Sequence, residues 1–271
     1  MTTKTKIPHA PACGIALACA LALIGPTQTA HAGSVTQPGE RIGLAAGAPL
    51  PQGFYFVDTT DFGGRTPPSH ETVGVTIPVI VWATPFHILG AQVQALVAPP
   101  LVEASTPGFH AQGWYNPLIQ GQLAWNLGDG FGASYALGAY IGIDSPVADH
   151  SSSINQWGAL SYTGGGYDLT ASVIYGTQLD SRTNPNFLNL DLTATKSFGK
   201  WSVGPVGYYS TDLNTPYAGY RKQSQFALGG LVGYNFGPVI LQTYLTRTVS
   251  ETHYGGQDTR FWFRIIVPLG S

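Results

Sequence analysis

Polar and aromatic side chains recur at every second position in several segments of the chain, a spacing that would place them along one wall of a passage. A lining of amides, carboxylates, guanidiniums and aromatic rings suits a small amphipathic or aromatic solute. The candidate lumen-lining and substrate-path residues are Gln92, Gln94, Gln120, Gln122, Asp168, Asn189, Asp191, Gln242, Tyr244, Arg260, Trp262 and Arg264. A plainer interpretation stays open, in which these groups only hydrogen-bond one another and fill a narrow interior.

Two residues of opposite charge could tie the two ends of the chain together. Asp58 lies in the first candidate strand and Arg264 in the last, at similar heights if those two strands pair. Because their parities match, the sequence predicts an ion pair between Asp58 and Arg264 across the closing seam. A separation beyond contact distance would refute this prediction.

The histidines are scattered and favour neither a catalytic nor a metal-binding arrangement. Beyond the first 32 residues they are His70, His87, His110, His150 and His253. None lies in the middle of a candidate strand, whereas an outer-membrane esterase or lipase would need Ser and His on facing strands with an acid or amide partner. We therefore predict no metal, no cofactor and no enzymatic activity, and a lipid hydrolase is the third-ranked hypothesis.

A β-hairpin over residues 225–245 is the clearest element that could position such side chains. Apolar residues occupy one parity in Phe226–Phe236 and polar residues or glycines mostly occupy the other, which is typical of a strand with one apolar face. Gly237-Pro238 interrupts the alternation, and Val239–Leu245 resumes it. Each arm has roughly the ten residues that a tilted strand needs to cross the hydrocarbon layer.

Similar segments along the rest of the chain bring the total to about twelve strands. In the second of them the apolar parity from Val73 to Val81 predicts a face directed outward to lipid, and Pro78 and Pro205 predict local bulges. The ten further strands are predicted at Gly53–Thr60, Thr72–Ala83, His87–Val97, Leu118–Leu127, Phe131–Ile143, Ile154–Thr163, Tyr167–Gln178, Phe187–Phe198, Trp201–Thr211 and Thr259–Leu269.

The connections between these segments alternate in length. Short turns are predicted at Thr84-Pro85, Gly128–Gly130, Gly164–Gly166, Gly199-Lys200 and Gly237-Pro238, and longer loops at 61–71, 99–113, 144–153, 179–186, 212–220 and 250–258. Short periplasmic turns and long outer loops are typical of outer-membrane barrels. We predict an all-β fold, a transmembrane antiparallel up-and-down β-barrel over residues 52–271 with both termini in the periplasm. A soluble barrel or sandwich stays open, although neither requires long loops at one end only.

The N-terminal residues have the pattern of a secretory signal. Lys4 and Lys6 precede an apolar run from Ala10 to Gly25, and Ala30-His31-Ala32 resembles a cleavage site before Gly33. We predict a signal peptide over residues 1–32 and a periplasmic leader over residues 33–51, which either stays in the periplasm or enters the lumen. An uncleaved anchor is less favoured, because the run is shorter than the roughly 18 apolar residues of a spanning helix.

Composition excludes several other classes of protein. Only 10% of residues are charged, and without Lys4 and Lys6 the 12 basic residues fall to 10 against 14 acidic ones, so there is no basic patch for nucleic acid. Both cysteines, Cys13 and Cys19, lie in the predicted signal. The remaining chain is thiol-free, which excludes structural disulfides and Cys-ligated metals.

Two short segments give the chain a resemblance to a known family. Leu50–Tyr55 at the start of the first strand and Phe261–Arg264 in the last resemble the outer-membrane proteins of the meta-pathway phenol-degradation family. The resemblance implies a barrel encoded beside aromatic-degradation genes that passes hydrophobic or aromatic compounds. It adds no residue to the candidate site.

Two functions from different classes follow. The first is passive uptake of small hydrophobic or aromatic compounds through the bacterial outer membrane. The alternative is a non-conducting structural or adhesive barrel whose outer loops bind partners. The expected partners of the first are outer-membrane lipid, the solute and the barrel-assembly machinery.

Overall fold

A computed structural model of the chain describes residues 34–179, 182 and 184–270, so the predicted signal peptide lies outside the described residues. The described residues form fourteen strands in one sheet. The strands are β1 (Gly53–Arg65), β2 (Thr72–Ile88), β3 (Ala91–Ala98), β4 (Leu101–Thr106), β5 (Phe109–Trp114), β6 (Leu118–Gly128), β7 (Phe131–Tyr140), β8 (Ser153–Tyr162), β9 (Tyr167–Gln178), β10 (Phe187–Phe198), β11 (Trp201–Asp212), β12 (Ser224–Asn235), β13 (Ile240–Thr252) and β14 (Asp258–Gly270).

The sheet closes on itself into a barrel. β1 pairs antiparallel with both β2 and β14, and each remaining wall strand pairs with its neighbours in turn. Twelve strands form the wall, while the β4–β5 hairpin extends it at the outer end of β2. Closure satisfies the backbone groups that an open edge would expose to lipid. The predicted antiparallel barrel of about twelve strands is confirmed.

The hairpin of β12 and β13 forms as the sequence predicts. Gly237 adopts a φ of +104°, which favours glycine, and its N–H donates to the Asn235 side-chain oxygen at 2.7 Å. On β12, Leu228 and Val232 face outward and are 49% and 43% exposed, while Leu231 faces the interior. The outward apolar face is what a lipid environment requires.

Two connections differ from their predicted form. The segment 99–113, predicted as a loop, contains most of the β4–β5 hairpin. The chain does not turn at Thr84-Pro85; β2 continues to Ile88, and the turn lies at Leu89 and Gly90, which have φ of +52° and +77°. Apolar alternation is too short in β4 and β5 to distinguish strand from loop by sequence alone.

The predicted direction of the apolar face of β2 is wrong. Val75, Ile77 and Val81 are buried on the inner side of the wall, whereas Ile80 and Trp82 face outward and are 40% and 39% exposed. The parity rule assumes a uniformly polar lumen, and the lumen beside β2 is apolar. The outward face of this strand carries fewer apolar residues than its inner face.

The predicted bulges at the two prolines are also absent. Around Pro78 and Pro205 the strand registers do not shift, but ladder pairs are missing. On β2, residues 77–79 have no partner in β3 or β4. In the β10–β11 ladder, no pair is formed between the pairs Thr193↔Val206 and Lys196↔Val203. Proline has no N–H to donate, so the ladder is interrupted without an added residue.

The leader lies inside the barrel. Residues 34–51, called the leader below, form a series of tight turns in which backbone N–H groups donate to the carbonyl three residues earlier, as from Ile42 to Gly39 at 3.2 Å. Ile42 is fully buried against Val206, Tyr208 and Leu231. The lumen is therefore partly filled by the chain's own N-terminal segment.

Close approach to the wall requires glycine at two leader positions. Gly39 and Gly43 have φ of +94° and +77°. A Cβ added at Gly39 would lie 2.9 Å from Tyr208 Cδ1, and one at Gly43 would lie 2.6 Å from Leu231 Cδ1. These contacts would displace the leader, so its path depends on both glycines.

No helix among the described residues combines the length and apolar character needed to cross a membrane.

Candidate solute path in the barrel lumen

The structure places the twelve predicted lumen residues on the inner side of the wall. Eleven of them are buried, and Asp168 is half-buried at the short-turn end of β9. Their shared direction follows from the period of two along each strand. Their part in solute passage stays a prediction, because most of them contact the leader rather than open space.

Asp191 and its neighbour on β10 hold the middle of the leader. The Asp191 carboxylate accepts hydrogen bonds from the backbone N–H groups of Gly39 and Arg41 at 2.9 and 3.0 Å. Two residues along β10, Thr193 Oγ1 accepts from the Gly43 N–H at 2.8 Å. Each such bond to a charged group contributes about 1.5–3 kcal/mol, so Asp191 is a strong anchor for the leader.

Arg264 contacts the leader from β14. Its two Nη atoms donate to the backbone carbonyls of Glu40 and Ile42, and its Nε donates to Thr59 Oγ1 at 2.8 Å. Beside it, Gln242 Nε2 donates to the Gly43 carbonyl at 2.7 Å. Backbone carbonyls therefore satisfy much of this fully buried guanidinium.

The predicted seam ion pair between Asp58 and Arg264 is wrong. β1 and β14 do pair, but their register places Thr59 opposite Arg264 and Asp58 opposite Ile265. Asp58 therefore lies on the outer side of the wall, where Thr60 Oγ1 donates to it at 3.4 Å. No ion pair joins Asp58 to Arg264 in the described part of the chain.

Arg260 instead forms the ion pair that crosses this seam. Its guanidinium pairs with Asp61 on β1 and, at 2.9 Å, with Asp258 on its own strand. Both acids were predicted to lie in loops, outside the strands, and were therefore not among the predicted lumen residues. Extending the inward parity of β14 by one position would have found Asp258, whereas Asp61 lies on the parity of β1 opposite to Asp58, which was predicted to face inward. Trp262 stacks on Tyr244 nearby, with ring centroids 5.0 Å apart and planes at 11°.

The glutamines on β3 and β6 form a chain of hydrogen bonds. Gln122 Nε2 donates to Gln94 Oε1 at 3.0 Å, and Gln94 Nε2 donates to Gln92 Oε1 at 2.8 Å. Gln92 in turn donates to the Leu50 carbonyl at 2.8 Å. For these three residues the geometry fits the plainer interpretation, mutual hydrogen bonding, although Gln94 and Gln122 also border open space.

That open space is an apolar chamber of about 450 Å³ between the leader and the barrel wall, chiefly β1, β2 and β3. Gln94, Gln122, Asp168 and Gln242 of the predicted residues line it. Most of the remaining lining is apolar, and the wall residues that sequence reasoning missed include Val57, Ile77, Val79, Val81, Leu96 and Leu118. A chamber of this size and polarity suits a small uncharged apolar or aromatic molecule.

The leader supplies two charged residues to the edge of the chamber. Burial, and then the charge of Asp191, raise the pKa of Glu40 to about 8 from its usual 4.5. The Arg41 guanidinium carbon lies 4.6 Å from the centre of the Trp157 ring, within the range of a cation–π contact.

The histidines lie apart from the chamber. His110 is 3.9 Å from Glu103 and His150 is 3.9 Å from Asp144, both at exposed positions in the outer part of the chain. Among the residues that the structure describes, no three His, Cys, Asp or Glu side chains form a group that could hold a metal ion.

The closed wall, the apolar exterior and the polar anchors within define a transmembrane β-barrel of the outer-membrane type, and this places the protein in the bacterial outer membrane. The chain belongs to the family described as "Putative MetA-pathway of phenol degradation", whose model matches residues 56–265. The resemblance inferred from the first and last strands is thereby confirmed.

Two solved structures share the fold at low sequence identity. The crystal structure of an outer membrane channel from Pseudomonas putida F1 is 13% identical with a TM-score of 0.67, and the match covers 86% of this chain and 99% of that one. The CymD monoaromatic hydrocarbon channel is 9% identical with a TM-score of 0.51, and the match covers 86% and 93%. No curated protein matches the chain.

Proposed function

We propose that the protein is an outer-membrane channel for passive uptake of small hydrophobic or aromatic compounds. The observation that carries this proposal is the apolar chamber that the leader leaves open inside the barrel. A channel for sugars or ions would gain nothing from aliphatic wall residues, which give no hydrogen bonds. The family description and the hydrocarbon channel of similar fold support the same class of solute.

The predicted lumen residues divide into two roles in this proposal. Gln94, Gln122, Asp168 and Gln242 border the chamber and contact the solute. Of the others, Gln92, Asn189, Asp191, Tyr244 and Arg264 hydrogen-bond to the leader. Passage needs no chemical step, so the protein acts without catalysis or cofactor. Outer-membrane lipid and the barrel-assembly machinery are its further partners.

The proposal is tested by uptake of radiolabelled toluene into Gram-negative cells with intact lipopolysaccharide, because pure phospholipid bilayers are themselves permeable to small aromatics. Cells that make the protein are expected to take up toluene faster than the empty host, with no change for a disaccharide. Val79→Asp, which places a charge in the chamber, is expected to remove the gain.

Val249→Asp is the matched control, because Val249 faces outward near the outer end of β13. It should leave uptake unchanged. Uptake no faster than in the empty host would favour the alternative, a non-conducting barrel. Equal loss in both variants would indicate a general folding defect rather than a role for the chamber.

A further inference from the structure

One charged side chain at the chamber lacks a partner of opposite charge. Arg41 of the leader lines the chamber and is 8% exposed. In the described part of the chain its side chain lies in no ion pair, and its Nε has no hydrogen-bond acceptor. Buried charges are normally paired, because removal of an unpaired charge from water is costly. An anion that enters the chamber would supply the missing partner.

The neighbouring carboxyl groups do not neutralise Arg41. The charged groups that act on it are Glu40, Asp191, Arg264 and the hydroxyl of Tyr140. Asp191 uses both carboxylate oxygens to accept backbone N–H groups of the leader. Glu40 has a pKa of about 8, so it keeps its proton at neutral pH. Two guanidiniums therefore face one carboxylate, and this end of the chamber carries a net positive charge.

A second unused donor lies beside the guanidinium. The Arg41 guanidinium carbon is 4.6 Å from the centre of the Trp157 ring, and Trp157 Nε1 is buried without an acceptor. Trp157 also lines the chamber. Guanidinium and indole nitrogens can donate but cannot accept, so neither group satisfies the other. The two oxygens of a carboxylate could accept from both.

The chamber's own wall carboxylate lies far from this end. Besides Glu40 and Arg41, the charged residue that lines the chamber is Asp168. Trp157 pairs with Ile174 on β9, and the distance along that strand from Ile174 to Asp168 is roughly 20 Å at about 3.3 Å per residue. Most of the lining between is apolar. An anion held at Arg41 is therefore well separated from the charge of Asp168.

We propose that the chamber binds a small monocarboxylate with an apolar body, such as an alkylbenzoate, whose carboxylate contacts Arg41 and Trp157. Its body lies against the aliphatic wall of β1 and β2. The site rests on the proposed function and specifies the chemical class of the solute. An uncharged molecule of equal shape fills the same wall but leaves the guanidinium without a counter-charge. The carboxylate is therefore bound more tightly.

The test compares two ligands of nearly equal shape, para-butylbenzoate and para-butylbenzamide. Binding of each to the purified full-length protein is measured by isothermal titration calorimetry in a neutral detergent at neutral pH. The benzoate is expected to bind about tenfold more tightly or better, because hydrogen bonds between charged groups are stronger than those to a neutral amide. Equal affinities would mean that water satisfies the guanidinium, and would overturn the proposal.

Substitution of the arginine tests whether this preference arises at Arg41. Arg41→Gln removes the charge, so it is expected to lower the affinity for the benzoate to that for the benzamide, with the latter unchanged. Arg41→Lys keeps the charge and should restore part of the preference. Arg221→Gln is the matched control, since Arg221 is exposed in the loop after β11. A full preference in Arg41→Gln, or its loss in Arg221→Gln, would overturn the site.

A measurement on the unsubstituted chain covers the case in which Arg41→Gln displaces the leader. The indole N–H groups of the 6 Trp give separate NMR signals, and the signal that Trp157→Phe removes belongs to Trp157. para-Butylbenzoate is expected to shift this signal, and para-butylbenzamide should shift it less. A Trp157 signal that the benzoate does not move would overturn the site.

The site and the proposed function fail in different measurements. Toluene uptake by cells tests passage, whereas the affinity difference is measured on purified protein without passage. Toluene uptake together with equal affinities would overturn the carboxylate site and leave the proposed function standing. A preference for the benzoate without toluene uptake would support the site and refute the uptake of hydrocarbons.

Discussion

Glu40 shows how a single residue can couple the position of the leader to pH. The charges that act on it are those of Asp191, Arg41, Arg264 and Asp61, and burial is the largest cause of its raised pKa. A carboxyl group in this environment keeps its proton at neutral pH, because ionisation would place a charge beside Asp191 at the half-buried edge of the chamber.

The raised pKa predicts that docking of the leader weakens as pH rises. Glu40 has a pKa of about 8 when the leader is docked and about 4.5 when it is in water. The docked state binds the proton more tightly, so its advantage is complete below about 4.5 and is lost as pH rises toward 8. Single-channel conductance is expected to increase between pH 5 and pH 8.5, and Glu40→Gln should remove most of this dependence.

Glu103→Gln is the control for this measurement, since Glu103 lies at an exposed position on β4. It should retain the wild-type pH dependence. A pH profile that Glu40→Gln leaves unaltered would assign the effect to other groups, such as the carboxylates on the wall.

Residue directions could be predicted from sequence only within a strand. The period of two placed Asn189 and Asp191 correctly on the inner side of β10. It could not relate Asp58 on β1 to Arg264 on β14, because that relation depends on the register between two distant strands. The register places Thr59 opposite Arg264, which moves Asp58 to the other side of the wall.

At the scale of elements, the leader determines what the lumen can hold. It is anchored by Asp191, Thr193, Gln242 and Arg264, and it fills the part of the interior beside β10–β14. Along the inner half of β2 it leaves the apolar chamber open. The inward-facing valines of β2 are therefore compatible with the barrel fold, because the part of the lumen beside them is apolar.

Deletion of residues 36–48 is expected to open the lumen and raise single-channel conductance. The barrel should still fold, because the hydrogen bonds of its wall do not depend on the leader and the exposed anchors can bind water. Folding is checked by gel electrophoresis, in which a folded barrel changes its mobility when the sample is heated first. Addition of a peptide with the sequence of residues 36–48 should lower the conductance again.

Thr248→Ala is a useful comparison for the deletion. Thr248 is buried on the inner side of β13 and contacts Gln225 rather than the leader. The conductance of the Thr248→Ala variant should equal that of the intact protein. A deletion variant with unchanged conductance would mean that another segment closes the pore.

The sequence could predict the leader's existence but not its place. Its turns lack a regular period, and the contacts that fix it are separated by more than a hundred residues, as between Gly43 and Thr193. The direction of β2 was mispredicted for the same reason. Alternation identifies two faces of a strand, but what each face meets depends on how the leader divides the lumen.

For the whole molecule, the outer surface gives the position of the barrel in the membrane. Aromatic pairs lie at the short-turn end of the wall, including Phe54 with Trp82 at 5.7 Å and Trp201 with Tyr234 at 4.7 Å between ring centroids. Aromatic girdles of this kind mark the boundary between hydrocarbon and headgroups. The apolar belt extends from this girdle toward the outer loops.

This arrangement predicts how brominated lipids quench the tryptophans. The chain has 6 Trp, so variants that retain one each isolate Trp201, Trp82 or Trp262. Trp201 and Trp82 face outward and are 52% and 39% exposed, whereas Trp262 is fully buried in the lumen. Quenching is expected for the first two and not for Trp262. It should be stronger with bromine near the headgroups than near the chain ends, because both residues lie in the girdle.

The Trp262-only variant is the internal control, since Trp262 faces the interior and its Nε1 donates to Thr246 Oγ1 at 3.0 Å. Quenching of Trp262 as strong as that of Trp201 would mean that the wall is inverted or the lumen holds lipid. Stronger quenching of Trp201 by bromine at the chain ends would place the girdle in the middle of the bilayer. Either result would contradict the orientation of the wall and the position in the membrane that the girdle gives to the barrel.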